Sequence, residues 1–90
     1  MELKVLYSGY NVKYFAGAKM GKGMPKLIKF VGANKDKISL IKIIGKSDSY
    51  TFLRQIYLFA NLSAVLLDVK VCINSREVTL SRPALPVYER

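Results

Sequence analysis

The residues with the clearest potential for chemistry in this 90-residue chain are lysines. Lys19 and Lys22 lie among three glycines in the stretch GAKMGKG at residues 17–23. Lysine ammonium groups bind phosphate oxygens, and glycines let backbone amides approach a phosphate. The stretch has neither the Walker A spacing nor the G-x-G-x-x-G spacing, so a nucleotide enzyme is not indicated. Residues 17–25 instead predict a basic loop that touches a phosphate backbone, with an ordinary mobile loop as the alternative.

Positive charge is concentrated in the first half of the chain. Residues 1–46 carry ten lysines against Glu2 and Asp36, a net charge of +8, whereas residues 47–90 carry a net charge of +1. This imbalance favours a polyanionic partner. The alternative is a lysine-rich surface that serves solubility or life in a hot habitat, where glutamate normally rises with lysine.

Residues for catalysis or metal binding are scarce. The chain has no histidine, and Cys72 is its single cysteine, which excludes the usual zinc patterns and the Cys/His nucleophile pair. We expect no enzyme activity, no cofactor and no small-molecule substrate. Because Cys72 lies in the apolar run VKVCI, we predict a buried, unreactive thiol. A single unpaired thiol also fits a reducing intracellular compartment.

Membrane insertion is not expected. The longest apolar region, residues 56–67, is too short to span a bilayer, and the first residues lack the pattern of a signal peptide. These features favour a cytoplasmic protein.

The elements that must position the lysines follow from the apolar pattern. Strands are predicted at residues 3–7 and 12–16, which either pair as a hairpin or leave only the second in the main sheet. A helix is predicted at residues 25–34, followed by a central strand at 38–44 whose continuous apolar run indicates cover on both faces. A second helix at residues 50–61, capped by Ser47 or Asp48, precedes a strand at 66–73, a turn at 74–77 and a returning strand at 78–81.

This pattern predicts one α/β domain over residues 1–90, an α+β two-layer sandwich. Its expected order is β-α-β-α-β-β with a mixed sheet, two helices and room for an extra N-terminal strand. The second helix is apolar on more than one side, which favours a homodimer with an interface at Phe52, Ile56, Phe59 and Leu62.

The stretch IKIIGK at residues 41–46, the helix after it and the hairpin at residues 74–78 resemble the Alba family of small archaeal chromatin and RNA-binding proteins. NVKYFAG at residues 11–17 is similar to the first strand and loop of that family. The resemblance implies a β-α-β-α-β-β dimer in which Lys19 and Lys22 contact DNA. It also implies a hairpin arm, to which Arg76 and Arg82 would belong.

We therefore expect a dimeric, largely sequence-neutral DNA or RNA binder of chromatin type, associated with the nucleoid. Its predicted phosphate contacts are Lys13, Lys19, Lys22, Lys42, Lys46, Arg76 and Arg82. Stacking of bases on Tyr7, Tyr10 or Tyr14 is a further hypothesis, against the alternative that these tyrosines are ordinary strand residues.

Two alternatives stay open. One is a KH-like RNA module, although Gly21-Lys22-Gly23 is not the G-x-x-G clamp of such modules. The other is a structural or inhibitory protein, for example from a virus of a thermophile, that binds a protein through its apolar helix.

Overall fold

A mixed sheet with two helices on one face forms the described part of the chain. The computed structural model describes residues 1–77. In chain order they form β1 (Glu2–Ser8), β2 (Asn11–Ala16), β3 (Lys19–Lys22), α1 (Met24–Ala33), β4 (Leu40–Lys46), α2 (Tyr50–Leu67), β5 (Lys70–Ile73) and β6 (Arg76–Glu77). The strand order in the sheet is β3-β2-β1-β4-β5-β6. Strand β4 is parallel to its neighbours β1 and β5, and the other pairs are antiparallel.

This architecture confirms the predicted α+β sandwich with a mixed sheet and two helices. The β-α-β-α-β-β order runs from β3 to β6, and the β1–β2 hairpin precedes it. The returning strand predicted at residues 78–81 lies outside the described residues.

The glycine stretch is largely a strand, which corrects the prediction of a loop over residues 17–25. Lys19–Lys22 pairs with β2 as the edge strand β3. Gly21 lies opposite the buried ring of Tyr14, and a Cβ at position 21 would clash with that ring. Glycine therefore serves close strand packing here, whereas Gly17, with φ of 62°, forms the turn between β2 and β3.

Local capping signals set the helix boundaries. Helix α1 begins after Gly23 and has Pro25 in its first turn, as predicted. The α2 cap is Ser49 rather than Ser47 or Asp48, because its Oγ accepts a hydrogen bond of 3.1 Å from the Phe52 amide. Helix α2 continues to Leu67, and its C-cap Asp68 has a left-handed φ of 57°. The strand predicted at residues 66–73 therefore starts at Lys70.

The core lies between the sheet and the two helices. Alternate strand residues such as Leu3, Ile41 and Val71 are fully buried and pack with the helix residues Leu27 and Ile56. The residues between them on the strands point to the other face, which no element within residues 1–77 covers.

Two predictions about burial are therefore wrong. Among the elements of residues 1–77, strand β4 is covered on one face only, since Ile41 and Ile43 are buried whereas Lys42 and Ile44 are exposed. Cys72 is half-buried on the uncovered face, because its neighbours in β5 occupy the helix side. An apolar run does not show how many layers cover a strand.

Candidate nucleic-acid interface

The uncovered face of the sheet, called here the open face, gathers lysines from five strands. Its members are Lys4, Lys13, Lys22, Lys42, Lys46 and Lys70, all of them exposed. The acidic residues of the described strands on this face are Glu2 and Glu77. The open face is therefore predominantly positive.

Five of these lysines form a diagonal line across the sheet. Lys4 pairs with Lys42, and Lys13 pairs with Lys22 in the adjacent row of side chains. Lys70 pairs with Leu40, one row beyond Lys42. With strands about 4.8 Å apart and about 6.7 Å between rows, the line from Lys70 to Lys22 spans about 23 Å. Lys46 lies beyond Ile44, away from the line.

The line contains two pairs of like charges in direct cross-strand positions. Cβ atoms of such pairs are about 4.5–5.5 Å apart, and like charges there destabilise a sheet. Lys4 and Lys42 form one pair and Lys13 and Lys22 the other. Bound anionic groups would remove this repulsion, so the arrangement favours a ligand with repeated negative charges.

Lys42 of the line forms an ion pair with Glu2. Lys42 Nζ lies 3.8 Å from a Glu2 carboxylate oxygen, and both side chains remain nearly half exposed. An exposed ion pair of this kind is weak and is screened by salt, so Lys42 stays available to a competing anion.

Apolar side chains alternate with the lysines. Across the strands from β3 to β4, one row of side chains consists of Met20, Phe15, Lys4 and Lys42. The adjacent row consists of Lys22, Lys13, Leu6 and Ile44. Met20 is 62% exposed, Ile44 47% and Leu6 37%, and Phe15 is half-buried. Each lysine pair therefore lies beside an accessible apolar pair.

The predicted phosphate contacts do not share one surface. Lys13, Lys22, Lys42 and Lys46 lie on the open face. Lys19 pairs with the buried Ala16, and Arg76 pairs with the buried Ile73, so both belong to the helix side of the sheet. Arg82 lies outside the described residues.

Sequence reasoning missed Lys4, Lys70 and the apolar neighbours of the line. Alternation in residues 2–8 already places Lys4 and Leu6 on the same side of β1. The missing information was which strands flank β1 and in what register.

Two of the three tyrosines considered for stacking are structural. Tyr7 and Tyr14 are buried on the helix side, and Tyr14 packs against Phe30 with ring centroids 5.1 Å apart. Tyr10 is exposed, but its ring lies 6.0 Å from that of Phe52, away from the open face. The aromatic ring that the described strands do place on the open face is Phe15.

Burial raises the pKa of the Tyr7 hydroxyl above its ordinary value. A hydrogen bond with the Asn74 side chain lowers it in part, and the nearby Tyr57 raises it further. Asn74 also donates from Nδ2 to the Gly45 carbonyl at 3.2 Å and accepts from the Gly45 amide at 3.0 Å. Asn74 therefore joins the carboxyl ends of β4 and β5.

The proposed dimer-interface residues need correction. Phe52, Ile56 and Phe59 are buried and belong to the core, and Phe59 also borders the groove between the two helices. Leu62 is 49% exposed. The apolar surplus of the helices consists instead of Ile28, Leu58, Leu62, Val65 and Leu66, and a groove of about 630 Å³ between α1 and α2 adjoins it.

Within residues 1–77, no group of three His, Cys, Asp or Glu side chains converges in a way that could hold a metal ion. In the same residues, neither helix has the length and hydropathy needed to cross a bilayer.

Comparison with known proteins gives a fold likeness. No family model and no curated protein matches this chain. Among solved structures, YeaZ from Pseudomonas aeruginosa is similar, with a TM-score of 0.56 and 11% sequence identity over 80% of this chain and 43% of the YeaZ chain. The chain thus spans less than half the length of YeaZ. At this identity the likeness shows an α/β fold alone, and the resemblance to the Alba family stays a prediction.

Proposed function

We propose that this protein is a non-enzymatic nucleic-acid-binding protein that holds a phosphate backbone on the open face of its sheet. The observation that carries the proposal is the diagonal line of five lysines, from Lys70 to Lys22, on an uncovered surface. Lysines bind phosphates as point charges and read no sequence, so the binding is largely sequence-neutral.

Total charge alone does not select this surface. Helix α1 and the residues after it also carry lysines, namely Lys26, Lys29, Lys35 and Lys37, and these are exposed. They are distributed over a helix and the turn after it, however, whereas the open-face lysines are aligned across one sheet at spacings set by the strands. Alignment lets one backbone contact several lysines at once, which favours the open face.

The test compares two variants with the same change in charge. In the first, Lys4, Lys13 and Lys42 are each replaced by Gln; in the control, Lys19, Lys26 and Lys29 on the helix side are each replaced by Gln. Binding to single and double strands is measured against salt concentration. Loss of three phosphate contacts should flatten the slope of log affinity against log salt by about 2 to 3 units.

The control variant should keep the slope of the unmodified protein. Equal effects of the two triple variants would contradict the open-face site. Salt-independent binding to a protein, with none to nucleic acid, would favour the alternative of a protein-binding module.

Cys72 offers an independent footprint without any mutation. It is the single cysteine of the chain and lies on the open face next to Lys42. A bound strand should slow its reaction with a thiol reagent, and high salt should restore the rate. An unchanged rate at saturating ligand would place binding elsewhere.

Homodimerisation is a separate part of the proposal. The exposed apolar residues of α2, such as Leu58 and Leu62, lie on the side of the molecule opposite the open face. A dimer formed through the helices would leave two open faces pointing away from each other. Such a dimer could join two strands of nucleic acid, in keeping with a chromatin-type role.

A further inference from the structure

The apolar half of the open face distinguishes between possible nucleic-acid ligands. Lys4 and Lys42 lie beside Leu6 and Ile44, and Lys13 and Lys22 lie beside Phe15 and Met20. A double helix presents phosphates and sugars on its outside and keeps the faces of its bases stacked. These apolar side chains would face charged phosphates without gain. An unpaired strand, in contrast, exposes both its phosphates and its base faces.

The shape of the surface leads to the same distinction. Base edges of a duplex are reached by a helix or strand pair that enters a groove. The lysines of the line instead come from the interiors of β1, β2 and β4, and from the ends of β3 and β5, all within one sheet layer. These lysines therefore belong to the sheet surface itself and not to a helix or strand pair that enters a groove.

The dimensions suit a short segment. The line spans about 23 Å by strand geometry, and its five lysines neutralise up to five phosphates. Single-strand sites on small β-rich domains cover about 4 to 16 nucleotides. The open face therefore provides one short site rather than a long channel.

Resting on the nucleic-acid binding proposed above, we infer that the ligand of the open face is an unpaired strand. Its phosphates follow the lysine line, and its bases pack on the apolar pairs, with stacking on Phe15. Phe15 thereby contributes affinity that salt does not screen, and Leu6 supports it from the neighbouring strand.

The experiment uses the full chain and three probes at one salt concentration. The probes are a single strand of about 12 nucleotides of mixed sequence, its duplex, and inorganic polyphosphate, which has charge but no bases. The test variant is Phe15→Leu, which keeps an apolar side chain but removes the ring. The matched control is Tyr50→Leu, which removes an aromatic ring that is 51% exposed on α2.

We expect the single strand to bind at least about tenfold more tightly than the duplex. Phe15→Leu should weaken single-strand binding about fivefold or more, since stacking of one base on an aromatic ring contributes this much. It should leave polyphosphate binding and the salt slope unchanged. Tyr50→Leu should alter none of these values.

A second variant guards against a folding defect in Phe15→Leu. Leu6→Thr changes an exposed position and keeps good strand propensity. If Leu6→Thr loses less single-strand affinity than Phe15→Leu and keeps the melting temperature of the unmodified protein, the inference is supported.

The failures are distinguishable. In one outcome the duplex and the single strand bind equally, the triple lysine variant weakens both, and Phe15→Leu and Leu6→Thr have no effect. This outcome overturns the inference and leaves the proposed function standing. Binding of polyphosphate as tightly as the single strand overturns it in the same way. Absence of binding to all three probes at low salt overturns both.

Discussion

Replacing Lys13 by Glu should make the protein more stable and a poorer ligand for nucleic acid. Lys13 and Lys22 are direct partners across the antiparallel β2–β3 pair, with Cβ atoms about 4.5–5.5 Å apart. Cross-strand charge pairs change stability by about 0.2–1 kcal/mol, destabilising for like charges and stabilising for opposite ones. Reversing one charge removes the repulsion and adds an attraction, so we expect a gain of about 1 kcal/mol.

For a domain of this size a gain of about 1 kcal/mol raises the melting temperature by about 4–8 °C. The gain is measured by urea unfolding at low and at high salt. It should shrink at about 1 M salt, where the screening length is about 3 Å. Lys13→Glu should also flatten the slope of log affinity against log salt for a single strand by at least about 0.7 units relative to the unmodified protein.

The matched control for this prediction is Lys19→Glu. Lys19 lies in the same strand but pairs with Ala16, so the reversed charge meets no lysine directly across the sheet. Its stability should change by less than about 0.5 kcal/mol. A Lys13→Glu protein no more stable than Lys19→Glu, or a gain that persists at high salt, would refute the reasoning from like-charge pairs.

Four further outcomes are expected. Ser75 has a left-handed φ of 73° in the β5–β6 turn, so Ser75→Gly should stabilise the protein by about 0.5–1 kcal/mol in urea unfolding; no gain would count against that turn geometry. Burial raises the pKa of Tyr7 in the folded protein. The stability that this shift contributes is complete below the unfolded pKa of about 10 and is lost as pH rises through the folded pKa. The free energy of unfolding of Tyr7→Phe should therefore fall less above about pH 10 than that of the unmodified protein, and parallel curves of unfolding free energy against pH would contradict this. Glu2→Gln should free Lys42 and strengthen single-strand binding about two- to fivefold at low salt, and an unchanged affinity would contradict competition by this ion pair. If the helices form a dimer, Leu62→Asp should yield a monomer by light scattering with little change in unfolding, because this side chain is 49% exposed.

Many elements of this fold were predictable from local features of the chain. Pro25 just beyond the glycine stretch, the apolar spacing of α2 and the serine-rich segment before α2 place both helices within a few residues of their starts. The residue pattern predicts strands at residues 3–7 and 12–16 and leaves two arrangements open, of which the structure shows the hairpin. The excess of lysine over acid in residues 1–46 is likewise a property of the sequence alone.

The tertiary structure decided which lysines act together. The period of two in a strand determines which alternate residues share a face, but not which strands are neighbours or which residues are paired across them. Lys4 and Lys42 are far apart in sequence and meet only because β1 pairs with β4 in this register. A slip of one residue would send one of them to the other face of the sheet. Hairpin pairing with β2 makes a strand of residues 19–22, although a glycine-rich segment has a weak local preference for strand, and alternation along that strand puts Lys19 and Lys22 on opposite faces.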